Sequence, residues 1–152
     1  RARNSLIQHR RFLFWGKYFF LSNHQKLCII SIRMGVTSAK LTLKNPFNPT
    51  KSVQGDFLVD SGAHYTVVPK IMVTKLSLKP SYIQEFSLAD GKIIKRSIGS
   101  ALIAFEGKEL AVPVVLGEHD DSALLGITTL ESFGLMLDPF KRKLYHSKLM
   151  LA

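Results

Sequence analysis

The chain has 152 residues, of which aliphatic and aromatic types make up 46%, enough for one ordinary domain with a substantial core and too few for two. That composition excludes wholesale disorder. The net charge of +10 invites a nucleic-acid partner, but residues 1–33 hold seven Lys/Arg and no acid, which leaves fourteen basic against eleven acidic residues in the remainder. A body so mildly basic gives little support to nucleic-acid binding, and none is expected.

The first 33 residues contain Phe12-Leu13-Phe14-Trp15 and Tyr18-Phe19-Phe20-Leu21, split by Gly16 and Lys17, and then an apolar run over 27–32. None of these reaches the roughly 18 to 20 residues of a membrane span. No Ala-x-Ala site follows that would complete a signal peptide. Membrane association is therefore not expected, or only through residues 1–33. At Met34 the composition changes to that of a folded domain, so 1–33 is read as a basic, apolar N-terminal extension outside the fold, Met34 as the natural start, and 34–152 as the domain. The lone Cys28 excludes an internal disulfide, and no Cys/His cluster has zinc spacing. A reducing, cytoplasmic compartment without a structural metal is expected.

Along the domain, apolar and polar residues alternate over 36–43, the pattern of a half-buried strand. The turn-rich Asn45-Pro46-Phe47-Asn48-Pro49 follows, and 53–59 reads as a second strand. That strand runs Phe57-Leu58-Val59 straight into Asp60-Ser61-Gly62-Ala63. Asp is depleted from strands and rarely buried unless paired, while Ser and Gly supply a short hydroxyl and an unhindered backbone for a tight turn. A carboxylate at that point suggests chemistry.

Pro69 precedes a short helix predicted over 70–76, ended before Lys79-Pro80. Strands at 82–88 and 93–98 flank Ala89-Asp90-Gly91-Lys92, where Asp-Gly is a strong hairpin signal. Strands at 102–105 and 110–116 flank a second turn at Glu106-Gly107-Lys108. Residues 117–122 read as an acidic, solvated loop whose consecutive His119, Asp120 and Asp121 do not make a metal site. Leu124-Leu125-Gly126 is buried in character. A short helix is predicted over 128–133 with Thr128 as cap and Glu131 completing a capping box, and strands at 135–137 and 144–145 close the chain around Asp138-Pro139-Phe140-Lys141.

Phe57-Leu58-Val59-Asp60-Ser61-Gly62-Ala63, an Asp90-Gly91 hairpin and Leu124-Leu125-Gly126 before a short helix, in that order, resemble the retropepsin-like aspartic proteases. More narrowly, the chain from about Met34 onward resembles the small single-domain, retroviral-type aspartyl proteases of bacteria and archaea. The resemblance implies a mainly β fold: a retropepsin-like closed barrel, half of an acid-protease fold, with two short helices, a flap hairpin and one Asp-Ser-Gly per chain. It implies Asp60 as the catalytic residue, with Ser61, Gly62 and Ala63 supporting its loop and Ser61 bonding across a dimer axis. Ala89, Asp90, Gly91 and Lys92 would form the flap over the substrate, and Leu124, Leu125 and Gly126 would pack under the loop. Since two carboxylates must share one proton to activate water, a single Asp-Ser-Gly requires a homodimer acting on peptide or protein substrates, without metal or cofactor. A non-catalytic dimeric peptide-binding or regulatory module of the same fold is the alternative. His64 is the local departure from the family pattern, read as a partly exposed loop histidine, and Ser61 lacks the Gly-x-Ser-x-Gly setting of a serine nucleophile.

Overall fold

The computed structural model describes residues 30–33, 36–88 and 90–147. Its elements are β1 (Ile30–Arg33), β2 (Val36–Asn45), β3 (Asn48–Val59), β4 (Thr66–Val68), α1 (Lys70–Leu76), β5 (Pro80–Ser87), β6 (Ile93–Phe105), β7 (Lys108–Leu116), β8 (Leu124–Leu125), α2 (Ile127–Ser132), β9 (Leu135–Asp138) and β10 (Lys143–His146). The expected mainly β class with two short helices is what the chain adopts.

Eight strands form one sheet in the order β1-β2-β3-β8-β4-β7-β6-β5, and an added pairing of β2 with β6 closes it into a barrel. The ring is β2-β3-β8-β4-β7-β6, sealed by Thr42↔Ala104, Leu43↔Ile103 and Lys44↔Leu102. Alternation along the strands fills it: Ala39, Leu41 and Leu43 from β2, Phe57 and Val59 from β3, Ala101, Ile103 and Phe105 from β6, and Val112 and Val114 from β7 are all buried. Burying a side chain as large as that of Phe57 stabilises by roughly 2 to 3 kcal/mol. The helices cover the barrel with Val73 and Leu76 of α1 and Leu130 of α2, and Phe133 meets Phe105 edge-on at 6.1 Å between centroids.

Two strands lie outside the ring. β1 pairs antiparallel with β2, Ile30↔Ala39 to Arg33↔Val36, so the ladder begins upstream of Met34; residues 1–29 lie outside the described residues. β5 pairs with β6 from Pro80↔Gly99 to Ser87↔Ile93, whereas β6 pairs with β7 only from Ser97 onward. The end of the β5–β6 ribbon therefore leaves the barrel at residue 96, and all of β5 except Phe86 is exposed.

Several local expectations are corrected. The two predicted strands 93–98 and 102–105 are one continuous β6, because Gly99 does not break it. Gly99 instead marks a close approach, since a Cβ there would lie 2.7 Å from the Lys79 carbonyl oxygen. β3 begins at Asn48 and takes Pro49 within the strand, next to a register shift between Lys44 and Asn45 where a missing N–H does least harm. Helix α1 spans the predicted residues and stops at Ser77, which adopts the left-handed conformation at φ 52. In the second hairpin Glu106 and Gly107 both have positive φ, 50 and 78, as a two-residue type I′ turn requires.

Candidate active site

Asp60 is delivered by β3, and the segment that holds β3 in place is distant in sequence. β8 lies between β3 and β4, parallel to the first (Leu58↔Leu124, Val59↔Leu125) and antiparallel to the second (Val67↔Leu124). The Leu58 amide donates to the Ala123 carbonyl at 3.0 Å and the Asp60 amide to that of Leu125 at 3.1 Å. Leu125 is buried and Leu124 half-buried, so this pair is a structural wedge beneath the loop.

The loop turns tightly. The Ala63 amide donates to the Asp60 carbonyl at 3.2 Å, and the Gly62 amide donates to Asp60 Oδ1 at 2.8 Å. One carboxylate oxygen is thereby fixed against the backbone of its own loop. A Cβ on Gly62 would stand 3.2 Å from that oxygen, closer than most real contacts, which is why a residue without a side chain suits the position. Asp60 is half-buried, Ala63 is half-buried, and Ser61 and Gly62 are exposed.

The far side of the loop is held by α2. An α-helix leaves its first amides unpaired, and here the Ile127 and Thr128 amides donate to the carbonyls of Ala63 (2.8 Å) and His64 (3.1 Å). The predicted capping box is therefore replaced: α2 starts at Ile127 with Gly126 as its N-cap, no side chain caps it, and the loop carbonyls do that work. Gly126 permits the contact, because a Cβ there would lie 2.4 Å from the Tyr65 carbonyl carbon and 2.9 Å from the Ala63 carbonyl oxygen.

A buried pair of hydroxyls, not foreseen from the sequence, secures the same turn. Thr66 Oγ1 accepts from the Gly126 amide at 3.1 Å and donates to Thr129 Oγ1 at 2.7 Å. Both threonines are almost fully buried. Thr66 starts β4, a three-residue strand too short for a periodicity signal.

The hairpin expected at 89–92 is present. Leu88 and Lys92 are joined by an amide-to-carbonyl bond of 2.8 Å, the Lys92 amide donates to Asp90 Oδ1 at 3.0 Å, and Gly91 has φ +81. Ala89 lies outside the described residues. The ribbon behind this tip carries Ile83 and Ile93 exposed. The ribbon touches the Asp60 loop through Tyr65, whose ring meets Phe86, one residue before the end of β5, edge-on at 6.2 Å. A hydrogen bond to Tyr65 also holds the Tyr82 hydroxyl above the ordinary phenol range.

His64 is exposed and packs edge-on against Tyr65 at 4.6 Å. The acidic loop is only partly solvated: His119 and Asp120 are exposed, but Asp121 takes two bonds from Arg96, Nε to Oδ2 at 2.7 Å and Nη2 to Oδ1 at 3.1 Å. Among the described residues no three His, Cys, Asp or Glu are grouped to hold a metal ion, and no helix is long and apolar enough to cross a membrane.

Three comparisons bear on this site. A search of curated proteins finds no match. Among solved structures, the chain is similar to a retropepsin-like aspartic protease from Rickettsia conorii, at 27% identity over 74% of this chain and 92% of that one, with a TM-score of 0.49. Residues 50–132 match the model of the family described as "gag-polyprotein putative aspartyl protease". That stretch is more than half of the chain and runs from β3 through Asp60, the ribbon and β8 to the end of α2. The chain belongs to this family of gag-polyprotein putative aspartyl proteases.

Proposed function

We propose that the protein is an aspartic endopeptidase that works as a homodimer, with Asp60 of each copy facing the other across a two-fold axis. The single observation that carries this is the Asp60 carboxylate, held at the end of β3 by the Gly62 amide in a loop whose Ser61 and Gly62 are exposed. Hydrolysis by this chemistry needs one charged carboxylate as base toward water and one protonated carboxyl to donate to the substrate carbonyl. The chain contains one Asp-Ser-Gly, so the second comes from another copy. Exposed apolar side chains on the ribbon (Ile83, Leu88, Ile93) and on the β9–β10 hairpin (Met136, Tyr145) support a partner surface.

In this reading a peptide lies extended between the Asp60 loops and the ribbons, which act as flaps with Asp90, Gly91 and Lys92 near their tips. The Ser61 hydroxyls tie the two loops across the axis, and Leu124, Leu125 and Gly126 fix their height. The Ala63 side chain, unlike a Ser or Thr hydroxyl, has no donor for the carboxylates, which suits activity at mildly acidic to near-neutral pH. The reaction requires no metal or cofactor, and the lone Cys28 suits a reducing cytoplasm.

The deciding experiment is peptide-library cleavage by the wild type and Asp60→Asn. Cleavage between about pH 4 and 8 that weakens on dilution and is absent in a folded, dimeric Asp60→Asn variant supports the reading. A folded dimer that cleaves nothing, yet binds peptides equally well with and without the substitution, replaces it with a non-catalytic peptide-binding module.

A further inference from the structure

Arg96 occupies the residue of β6 at which the ribbon leaves the barrel: Ser97 still pairs with Leu116 of β7, whereas Arg96 pairs only with Gln84 of β5. Its guanidinium reaches out of the sheet to the loop that follows β7 and grips Asp121 with two nitrogens on two oxygens. Both side chains are largely covered, at 18% and 22% exposure, so water competes with this pair far less than with the ribbon's other ion pair, Lys95 with Glu85 at 70% and 61%.

The loop that carries Asp121 is itself tightly held. Its first amide, on Gly117, donates to the Val68 carbonyl at 2.8 Å; Asp121 Oδ2 also accepts from the Glu118 amide at 2.8 Å. At its far end Ala123 accepts from Leu58, two residues before Asp60. Covalent and hydrogen-bonded links thus run without a gap from the ribbon's elbow through Asp121 and Ala123 to the strand that bears Asp60. The charges around the pair are Glu118, whose carboxylate stands 3.8 Å from Arg96 Nη1, and Asp120, which adds to the field on the guanidinium.

We propose that Arg96 and Asp121 are a positioning pair that sets the elbow of the flap at a fixed height over the Asp60 loop, and so governs how tightly an extended peptide is held. The inference rests on the peptidase reading. The pair touches no reacting atom, so its loss weakens substrate retention and leaves the chemical step in place. Its forked geometry is specific to Arg, since a lysine offers a point charge without the fork.

The test uses the full chain with Arg96→Gln, Arg96→Lys and the isosteric Asp121→Asn, which keeps an oxygen for the Glu118 amide. Each is measured by steady-state peptide cleavage and by amide hydrogen exchange without peptide. The expected result is a KM raised about tenfold in Arg96→Gln and Asp121→Asn and about threefold in Arg96→Lys, with kcat within about twofold of wild type. Exchange should quicken far more at residues 82–96 than in the barrel. Folded variants with unchanged KM and unchanged exchange, or with exchange raised evenly through the molecule, overturn the proposal. If the wild type itself cleaves nothing, the peptidase reading fails separately, and the exchange pattern alone decides whether the pair holds the ribbon.

Discussion

Gly126 and Tyr65 touch backbone to backbone, so closely that a single added methyl on Gly126 would lie 2.4 Å from the Tyr65 carbonyl carbon. The obstacle is main chain on both sides, so no side chain can swing aside to make room. Gly126→Ala should cost about 3 kcal/mol, the upper range for overpacking. Urea denaturation reads this directly, and the displaced Asp60 loop should also lower peptide cleavage in whatever fraction stays folded.

The buried hydroxyls of Thr66 and Thr129 should be unequal in value. Thr129→Val removes only the acceptor of the Thr66 hydroxyl, at a cost of about 1 kcal/mol, whereas Thr66→Val also strips the Gly126 amide of its acceptor and should cost about 2 to 3 kcal/mol. Because the two share one bond, the double variant should fall short of the sum of the single ones. Denaturation midpoints of the three variants test the order.

Asn45 holds the opposite end of the barrel. Its Nδ2 donates to the carbonyls of Leu76 (2.8 Å) and Ser77 (3.2 Å), which end α1, and its Oδ1 accepts from the amides of Phe47 (2.7 Å) and Asn48 (3.2 Å). Asn45→Asp keeps the acceptor but turns a carboxylate oxygen toward two carbonyls. The expected loss is about 3 kcal/mol near pH 7, easing as the pH falls far enough to protonate the new acid. Thermal unfolding at pH 7 and pH 4 gives the comparison.

Asp121 supplies a pH signature. Hydrogen bonding to Arg96 holds its carboxyl below the ordinary 3.8 despite the opposing effect of burial. A group whose folded value is depressed contributes stability that is present above its unfolded value and lost as the pH falls through the folded one. The stability gap between wild type and Asp121→Asn should therefore be flat from about pH 7 to 5 and shrink below about pH 4. Chemical denaturation across that range measures the gap, and a gap that widens on acidification contradicts the assignment.

Much of the site was legible in the sequence because it is written in local chemistry. An acid after an apolar run, a Ser-Gly turn and an Asp-Gly hairpin each declare a backbone conformation within a few residues, and Asp60 and the 89–92 turn lie where those signals put them. Leu124-Leu125-Gly126 was legible as a buried segment, but its place between β3 and β4 depends on partners some sixty residues away. The same limit hid the true start of α2. Thr128 and Glu131 have the spacing of a capping box, yet tertiary carbonyls from Ala63 and His64 outcompete the side chains for the helix amides. Thr66 and the Arg96–Asp121 pair left no local pattern, since each derives its meaning from a residue on another element.

The insertion of β8 between β3 and β4 has a consequence for the order in which the molecule is made. Asp60 and its turn leave the ribosome long before Leu124, yet the amides of Leu58 and Asp60 find their carbonyl acceptors only on Ala123 and Leu125. Closing so long a stretch of chain is entropically costly and slow compared with hairpin formation. The nascent protein therefore carries its acid without the geometry that disciplines it until β8 has been synthesised, and a product truncated before residue 124 would hold the Asp-Ser-Gly sequence without the strand that gives its loop shape.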